Sequence, residues 1–282
     1  MVPFPTNPFS VVILAIAGVF ALVCLIYGFR ELQLANHVLR SRPNSVLETT
    51  RGGPVELRGV AKPVDGVVLR SPFTDTPCLA YEYEVEEEYS TKNGTSWRTI
   101  DSGDRHVPFR LEDDSGSVLV EPPRASYRLA LAERIRVDGG KTPPAQIQRF
   151  IDATDDVDCE NSSLDLGVFE LRTGSNRRFL ERRLDVEEEV HVLGTARHDT
   201  TVSRNAGEVN AVVGVGDAMF DDSRWVRLRH RLFGYPFIIS DQSERSLGLK
   251  AAALGTGAIV GGLGLLAVAT LWVSRPAAAL LL

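Results

Sequence analysis

Two stretches without a charged side chain constrain this chain more than any other feature. Ser10–Phe29 (SVVILAIAGVFALVCLIYGF) holds twenty uncharged residues, and Ala251–Val273 (AAALGTGAIVGGLGLLAVATLWV) holds twenty-three. At about 1.5 Å of rise per residue, a helix of either length crosses a hydrocarbon layer of about 30 Å. A helix buried in a soluble protein seldom stays apolar on every face for so long. A cleaved leader is the other reading of the first run. It calls for a basic residue ahead of the run, a shorter apolar core and a small-x-small site behind it. Met1–Phe9 has no basic residue, and the run leaves through Tyr27-Gly28-Phe29-Arg30. The expectation is an integral membrane protein with two spans, at 10–29 and 248–273, and short tails at 1–9 and 274–282. The lipid bilayer is its first expected partner.

Charge is confined to the segment between the runs. All 37 acidic residues lie between Glu31 and Lys250 with 29 of the 31 basic ones, a surplus of eight negative charges that argues against a nucleic-acid partner. Arg outnumbers Lys 27 to 4. With the acidic excess, the composition resembles that of a GC-rich, salt-adapted prokaryote, and an archaeal or other prokaryotic source is expected. Basic residues also bear on sidedness. Arg30, Arg40 and Arg42 follow the first run, and Arg231, Arg245 and Lys250 precede the second, against Arg275 alone beyond it. By the positive-inside bias, the intervening domain is expected in the cytoplasm. The sequons at Asn93-Gly-Thr and Asn161-Ser-Ser point the other way.

Within the domain, hydrophobicity alternates with a period of two between turn signals, which is the pattern of strands. A juxtamembrane helix and linker are expected over 30–53, with Thr49–Pro54 as the linker, and the β domain over 54–247. In Tyr81–Tyr89, Tyr81, Tyr83 and Val85 share one face while Glu82, Glu84 and Glu86 share the other. Lys92-Asn93-Gly94 is a turn, and Ser96–Ile100 returns. Phe109 and Leu111 lead through an Asp-Asp-Ser-Gly turn to Val118 and Val120, a hairpin. Gly139–Pro144 marks a break, Ala145–Ile151 a short helix and Asp152–Glu160 an acidic loop. Strands follow at Phe169–Arg172, Phe179–Leu184, Glu189–Ala196 and Phe237–Ser240. Asp241 and Glu244 read as a capping box opening the helix that runs into the second span. The fold class is a mainly β domain between two transmembrane helices. It is expected as two lobes, 54–138 and 160–245, or one elaborated barrel, with an OB-like barrel among the candidates.

Catalytic and metal motifs were sought in the same residues. There is no Walker loop, H-E-x-x-H or G-x-S-x-G. His37, His106, His191, His198 and His230 have no partner at metal-ligand spacing, and no C-x-x-C occurs. Cys24 falls in the first run, while Cys78 and Cys159 read as two free thiols or one disulfide. Asp155, Asp156, Asp158 and Glu160 lack the glycine turn of a cation loop and read as a solvated face. Tyr81, Trp97 and Phe109 read as core in preference to a ligand groove. No catalytic, metal or cofactor-binding residue is assigned, and no cofactor is expected. Gly257 and Gly261 form a G-x-x-x-G pair in the second run, suited to close helix packing and self-association.

PVELRGVAKPVDGVVLRSPFTDTPCLAYEYEVEE, Trp97, Gly103, VPFRLEDDSGSVLVEPP, ERRLDVEEEVHVLGTA and FIISDQSERSL together resemble the GIDE, or beside-a-membrane, domain of membrane-anchored E3 ubiquitin ligases. The resemblance covers Pro54–Leu247 and includes the flanking spans. It rests on the Pro-Cys-x-Ala-Tyr motif at Cys78 and Tyr81, on Trp97, on Pro-Phe-x-Leu at Pro108 and Phe109, and on Phe237-Ile-Ile-Ser. It implies structural or partner-binding roles for these residues, and a domain facing away from the cytosol. Ligases of the family carry a zinc RING finger after the second span, whereas SRPAAALLL after Val273 has no Cys or His. The leading expectation is a membrane-anchored module that binds or scaffolds an unknown protein partner. The alternative is a ubiquitin- or SUMO-like transferase subunit working with a separate RING protein. A third is a membrane enzyme using His106 or His198 as base.

Overall fold

The computed structural model describes residues 8–40, 43–92, 94–155, 175–216, 223–226, 234–242 and 244–278. They divide into a helical unit, which includes both chain ends, and a β unit formed by 43–216 with 237–242.

The helical unit contains α1 (Pro8–Arg40) and α3 (Glu244–Ala278). Both are long and apolar enough to cross a membrane, over Val11–Asn36 and Gly248–Trp272. The juxtamembrane helix expected after residue 29 is thus the unbroken continuation of α1. The two helices pack antiparallel along a seam of small residues. Gly248, Gly255, Gly262 and Ala269 are buried at intervals of seven on α3, as are Ala21, Gly28 and Ala35 on α1. A heptad spacing keeps one stripe facing a partner helix, and residues without bulk let the backbones meet. A Cβ at Gly255 would lie 2.8 Å from the Gly28 carbonyl oxygen, and one at Gly262 would lie 2.9 Å from the Cys24 Cβ. Gly257 and Gly261 are on the outward side, where an added Cβ meets nothing within 4 Å. Large apolar side chains also lie on the outward side, among them Ile16, Phe20, Val260 and Val268.

In the β unit, five strands close a barrel: β1 (Gly53–Pro63), β5 (Phe109–Asp113), β6 (Gly116–Val120), β11 (Glu208–Gly214) and β10 (Glu189–His198), which returns to β1. The closing ladder is antiparallel, from Gly53 opposite Ala196 to Val60 opposite Glu189. β6 and β11 run parallel, Val120 opposite Val213. A meander of three strands, a parallel third–fifth pair and a fourth strand closing on the first make the Greek-key connectivity of an OB-type barrel. Leu57, Phe109, Leu111, Val118, Val192 and Val213 fill it. Gly59 is required where β1 crosses β5, because a Cβ there would fall 2.3 Å from the Glu112 carbonyl oxygen.

A second sheet grows out of two of the barrel's connections. Between β1 and β5 the chain adds β2 (Leu69–Arg70), β3 (Pro77–Thr91) and β4 (Gly94–His106). Between β6 and β10 it adds β7 (Ser126–Tyr127), β8 (Leu131–Val137), α2 (Ala145–Asp155) and β9 (Arg177–Asp185). β7 joins the barrel sheet through β12 (Ile238–Ser240); the others form the order β2-β3-β9-β8, with β4 also on β3. The split into lobes 54–138 and 160–245 therefore does not describe the domain, since barrel and second sheet each draw strands from both halves. Elsewhere the differences are local. Val46–Arg51 is a 3₁₀ turn rather than a linker, started by the Glu48 carboxylate accepting the Ser45 N–H at 3.1 Å. The Asp241 carboxylate accepts the Ala130 N–H at 2.9 Å. The strand expected at 169–172 lies outside the described residues.

Replacing Gly255 with Val is expected to weaken the helix pair by about 1–3 kcal/mol through overpacking. The thermal midpoint of the detergent-solubilised chain should fall, while Gly257→Val leaves it in place. Equal midpoints for the two variants would show that the seam does not hold the pair together.

Candidate functional surface

The second sheet has one packed face and one open face. On β3, Tyr83 and Val85 turn inward with Phe179 of β9 and Phe73, against Ile147, Phe150 and Ile151 of α2. Phe73 meets Tyr83, Phe150 and Phe179 edge to face at centroid distances of 5.6, 5.1 and 5.2 Å. Tyr83 lies on Gly103, where a Cβ would come within 2.7 Å of its ring.

Glu181 follows the same inward alternation and is fully buried. Its charge is met in full: its carboxylate accepts the Phe73 N–H at 2.8 Å and the Thr74 hydroxyl at 2.6 Å, and Arg183 donates to it at 3.0 Å. This carboxylate holds the Ser71–Thr76 loop against the sheet, a role invisible in a list of motifs. The one available signal was a charged residue at an apolar position of an alternating strand.

Beside it lies Cys78, a free thiol that is fully buried. Burial, then the Asp185 and Glu181 carboxylates, push its pKa up to about 12 against the pull of Arg183. A thiol so placed stays protonated and inert. Phe109 is fully buried in the barrel core, opposite Val120. Pro108 is exposed where the chain leaves β4 for β5, so it marks the step between the two sheets. Tyr81 is half-buried opposite Arg105 and Arg183, and burial raises its hydroxyl pKa.

Trp97 is the sequence-selected residue that reaches the open face. It stands opposite Glu88. The Arg178 guanidinium lies 4.4 Å and that of Arg136 5.7 Å from its ring centroid. Around it the charges sort by strand. β3 contributes Glu82, Glu84, Glu86 and Glu88; β9 contributes Arg178 and Arg182, and β8 contributes Arg134 and Arg136. Arg178 binds Glu86, Arg182 lies 3.3 Å from Glu84, and Arg136 lies 3.5 Å from Glu88. Each exposed pair is worth a few tenths of a kcal/mol and a stacked guanidinium about 0.5–1 kcal/mol. Together they hold a large aromatic ring half in solvent on a rigid sheet. The arginines were not singled out from the sequence, because RRFLERRL reads as a solvated strand until its register against β3 is known.

Residues 80–206 match the model of the GIDE family, described as E3 ubiquitin ligase. This stretch is similar to a GIDE domain. The match takes in somewhat under half of the chain, including Tyr81, Trp97, Pro108 and Phe109 of the family motifs; Cys78 lies just before it. No curated protein and no solved structure matches the chain. The GIDE segment thus comprises the long strands and open face of the second sheet, together with β5, β6 and β10 of the barrel.

The other features weighed in the sequence lie elsewhere. His106 is 3.8 Å from Asp104, with its ring 6.1 Å from that of Tyr127, while His191 is buried and His198 exposed. Among the described residues no three His, Cys, Asp or Glu side chains are placed to hold a metal ion. Asn93, Asp156, Asp158, Cys159, Glu160, Asn161 and His230 lie outside the described residues, as does the side chain of Asp155. A cavity of about 860 Å³ on the barrel is lined by charge already paired, Arg58 with Glu189 at 2.5 Å and Lys62 with Glu112 at 2.9 Å.

Because the folded thiol of Cys78 titrates above its ordinary value of 9.0, its contribution to stability is whole below that pH and is lost as pH rises toward about 12. Stability should decline over that window in the native domain, and the decline should flatten in Cys78→Ala. A maleimide at pH 8 is expected to label Cys78 in urea and leave it unmodified in the native chain.

Proposed function

We propose that this chain is a membrane-anchored binding module, and that its GIDE domain engages a protein partner non-covalently through the open face around Trp97. The observation that carries this reading is the combination of a half-exposed Trp97 braced by arginines with a buried, protonated Cys78. An indole fixed by Arg178 and Arg136 offers a large contact area at little entropic loss, the kind of anchor on which interface affinity concentrates. Covalent relay of a modifier needs an accessible thiolate, and Cys78 does not supply one. The acid surplus of the domain disfavours nucleic acid as the partner.

The two apolar helices support insertion in a bilayer, with the β unit falling between them in the sequence. Arginines and Lys250 on its side of both helices support a cytoplasmic position. The outward Gly257 and Gly261 are suited to self-association within the membrane.

A second reading is favoured by the description of the family: a subunit of a ubiquitin- or SUMO-like ligase that holds the substrate while a separate RING protein recruits the conjugating enzyme. Reconstitution with host modifier, activating enzyme and RING proteins decides it, and conjugation no faster than without the chain would discard it.

Crosslinking in intact cells followed by mass spectrometry is expected to recover a specific partner. Trp97→Ala should reduce that recovery about tenfold or more, as for an interface hot spot, with the thermal midpoint nearly unchanged. Recovery unaffected by the substitution would remove the open face from the interface. For sidedness, Thr95→Cys in a Cys159→Ser background should resist a membrane-impermeant thiol reagent until cells are lysed. Labelling of intact cells would place the domain outside.

A further inference from the structure

The open face ends on a strand whose outer edge has no partner strand among the described residues. Among the described residues β8 pairs with β9 alone, and Leu131, Ala132, Glu133, Arg134 and Arg136 are all exposed. A free edge presents a row of backbone N–H and C=O groups to any chain that can lie extended along it. Natural sheets guard such edges with Pro, charged side chains and bulges. Leu131–Val137 has no Pro but has Glu133, Arg134, Arg136 and an irregular start. The Glu133 carboxylate accepts the Arg134 N–H at 3.0 Å, so a pairing chain must match those charges and displace that contact.

The charge pattern across the sheet states what that chain should carry. On the open face the acidic row of β3 meets the basic row of β9, and cross-strand pairs form. One strand further out the alternation fails, because Arg136 stands directly opposite Arg178 and Arg134 opposite Leu180. Like charges facing each other across a ladder are unfavourable. Arg178 has Glu86, whereas Arg136 is 56% exposed and reaches Glu88 and Asp138 only at 3.5 Å. Arg134 is exposed and has no acidic partner among the described residues. Arg134 is thus the arginine of the row left without an acidic side chain among the described residues, beside an Arg136 that is held by Glu88 and Asp138.

We propose that β8 is a docking edge for an extended acidic segment of a partner protein, added as a further strand with carboxylates at alternate positions opposite Arg134 and Arg136. Backbone hydrogen bonds to β8 hold the segment, and the two arginines select it by charge. The site rests on the binding-module reading above and gives it a partner chemistry. It takes five to seven residues, the length of β8 from its irregular start at Leu131–Glu133 to Val137.

The test uses the full chain in nanodiscs of neutral lipid and a fluorescent heptapeptide alternating Glu with Val, read by anisotropy. A second peptide has Lys in place of Glu, and a third is N-methylated at the amides that would face β8. The Glu peptide is expected to bind about tenfold tighter than the Lys peptide, from two cross-strand charge pairs. N-methylation should abolish binding, and Arg134→Glu with Arg136→Glu should reverse the charge preference. Reversal is its own folding control, because a damaged sheet would bind neither peptide. Absent binding, a preference unmoved by the double variant, or indifference to N-methylation overturns the proposal. In cells, a partner still crosslinked in the double variant and lost in Trp97→Ala would keep the binding-module reading while removing β8. Loss in neither variant would overturn both.

Discussion

The domain depends on one ladder, the antiparallel pairing of β1 with β10. These strands are far apart in the chain, and everything in the second sheet lies between them. Until Leu57 faces Val192 and Arg58 faces His191, the barrel is an open sheet with two unpaired edges. Once they meet, the connections β1–β5 and β6–β10 are held at fixed points of a closed structure. Long-range pairing must offset the loop entropy of the intervening chain before it stabilises anything. The fully buried Leu57, Val190, Val192 and Leu193 supply that offset, at about 1.5–3 kcal/mol for each large apolar side chain removed from water.

The second sheet inherits its order from that closure and adds its own. β3 comes from the first connection and β9 from the second, so the ladder from Cys78–Asp185 to Glu87–Arg177 joins the two insertions. The rings of Phe73, Tyr83 and Phe179, with Phe150 of α2, seal the inner side. On the outer side, acids arrive on β3 and arginines on β9, so the face exists only because the barrel sets these strands side by side. Phe73 and Glu181 make the dependence concrete. The loop that supplies a core ring is secured by a carboxylate from the other insertion, and removing such a buried, hydrogen-bonded charge leaves its partners unsatisfied at about 3 kcal/mol or more.

Local features were the legible ones. The uncharged runs announced the two apolar helices, the alternation in Tyr81–Tyr89 separated the inner from the outer face of β3, and Asp-Asp-Ser-Gly located the β5–β6 hairpin. A mainly β domain with an OB-like barrel among its forms was also within reach. Interleaving was not, because register between distant strands leaves no trace in a single sequence: β9 looks the same whether it pairs with β3 or with a neighbour. For the same reason nothing in the sequence singled out Arg178 and Arg182. Cys78, Phe109 and Trp97 looked alike as motif positions, yet they occupy the core of one sheet, the core of the other and the open surface. The helix seam was missed for a different cause. G-x-x-x-G at Gly257 and Gly261 is the conspicuous spacing, whereas the contact uses the seven-residue spacing of Gly255 and Gly262, which becomes visible only against the small residues of α1.

A net charge says little about such a surface. The acid surplus of the domain would suggest an attraction for basic partners, but on the open face the carboxylates of β3 are already engaged by β9. What remains outward-facing there without an acidic partner among the described residues is basic, Arg134 at the rim formed by β8, while Arg136 beside it is held by Glu88 and Asp138. Screening makes this local sign the one a docking segment encounters, since charges more than about 8–10 Å away count for little at physiological salt. The order of rows across the sheet, acid then base then base, is therefore a stronger statement about the surface than the total. It follows from which insertion of the barrel each strand belongs to.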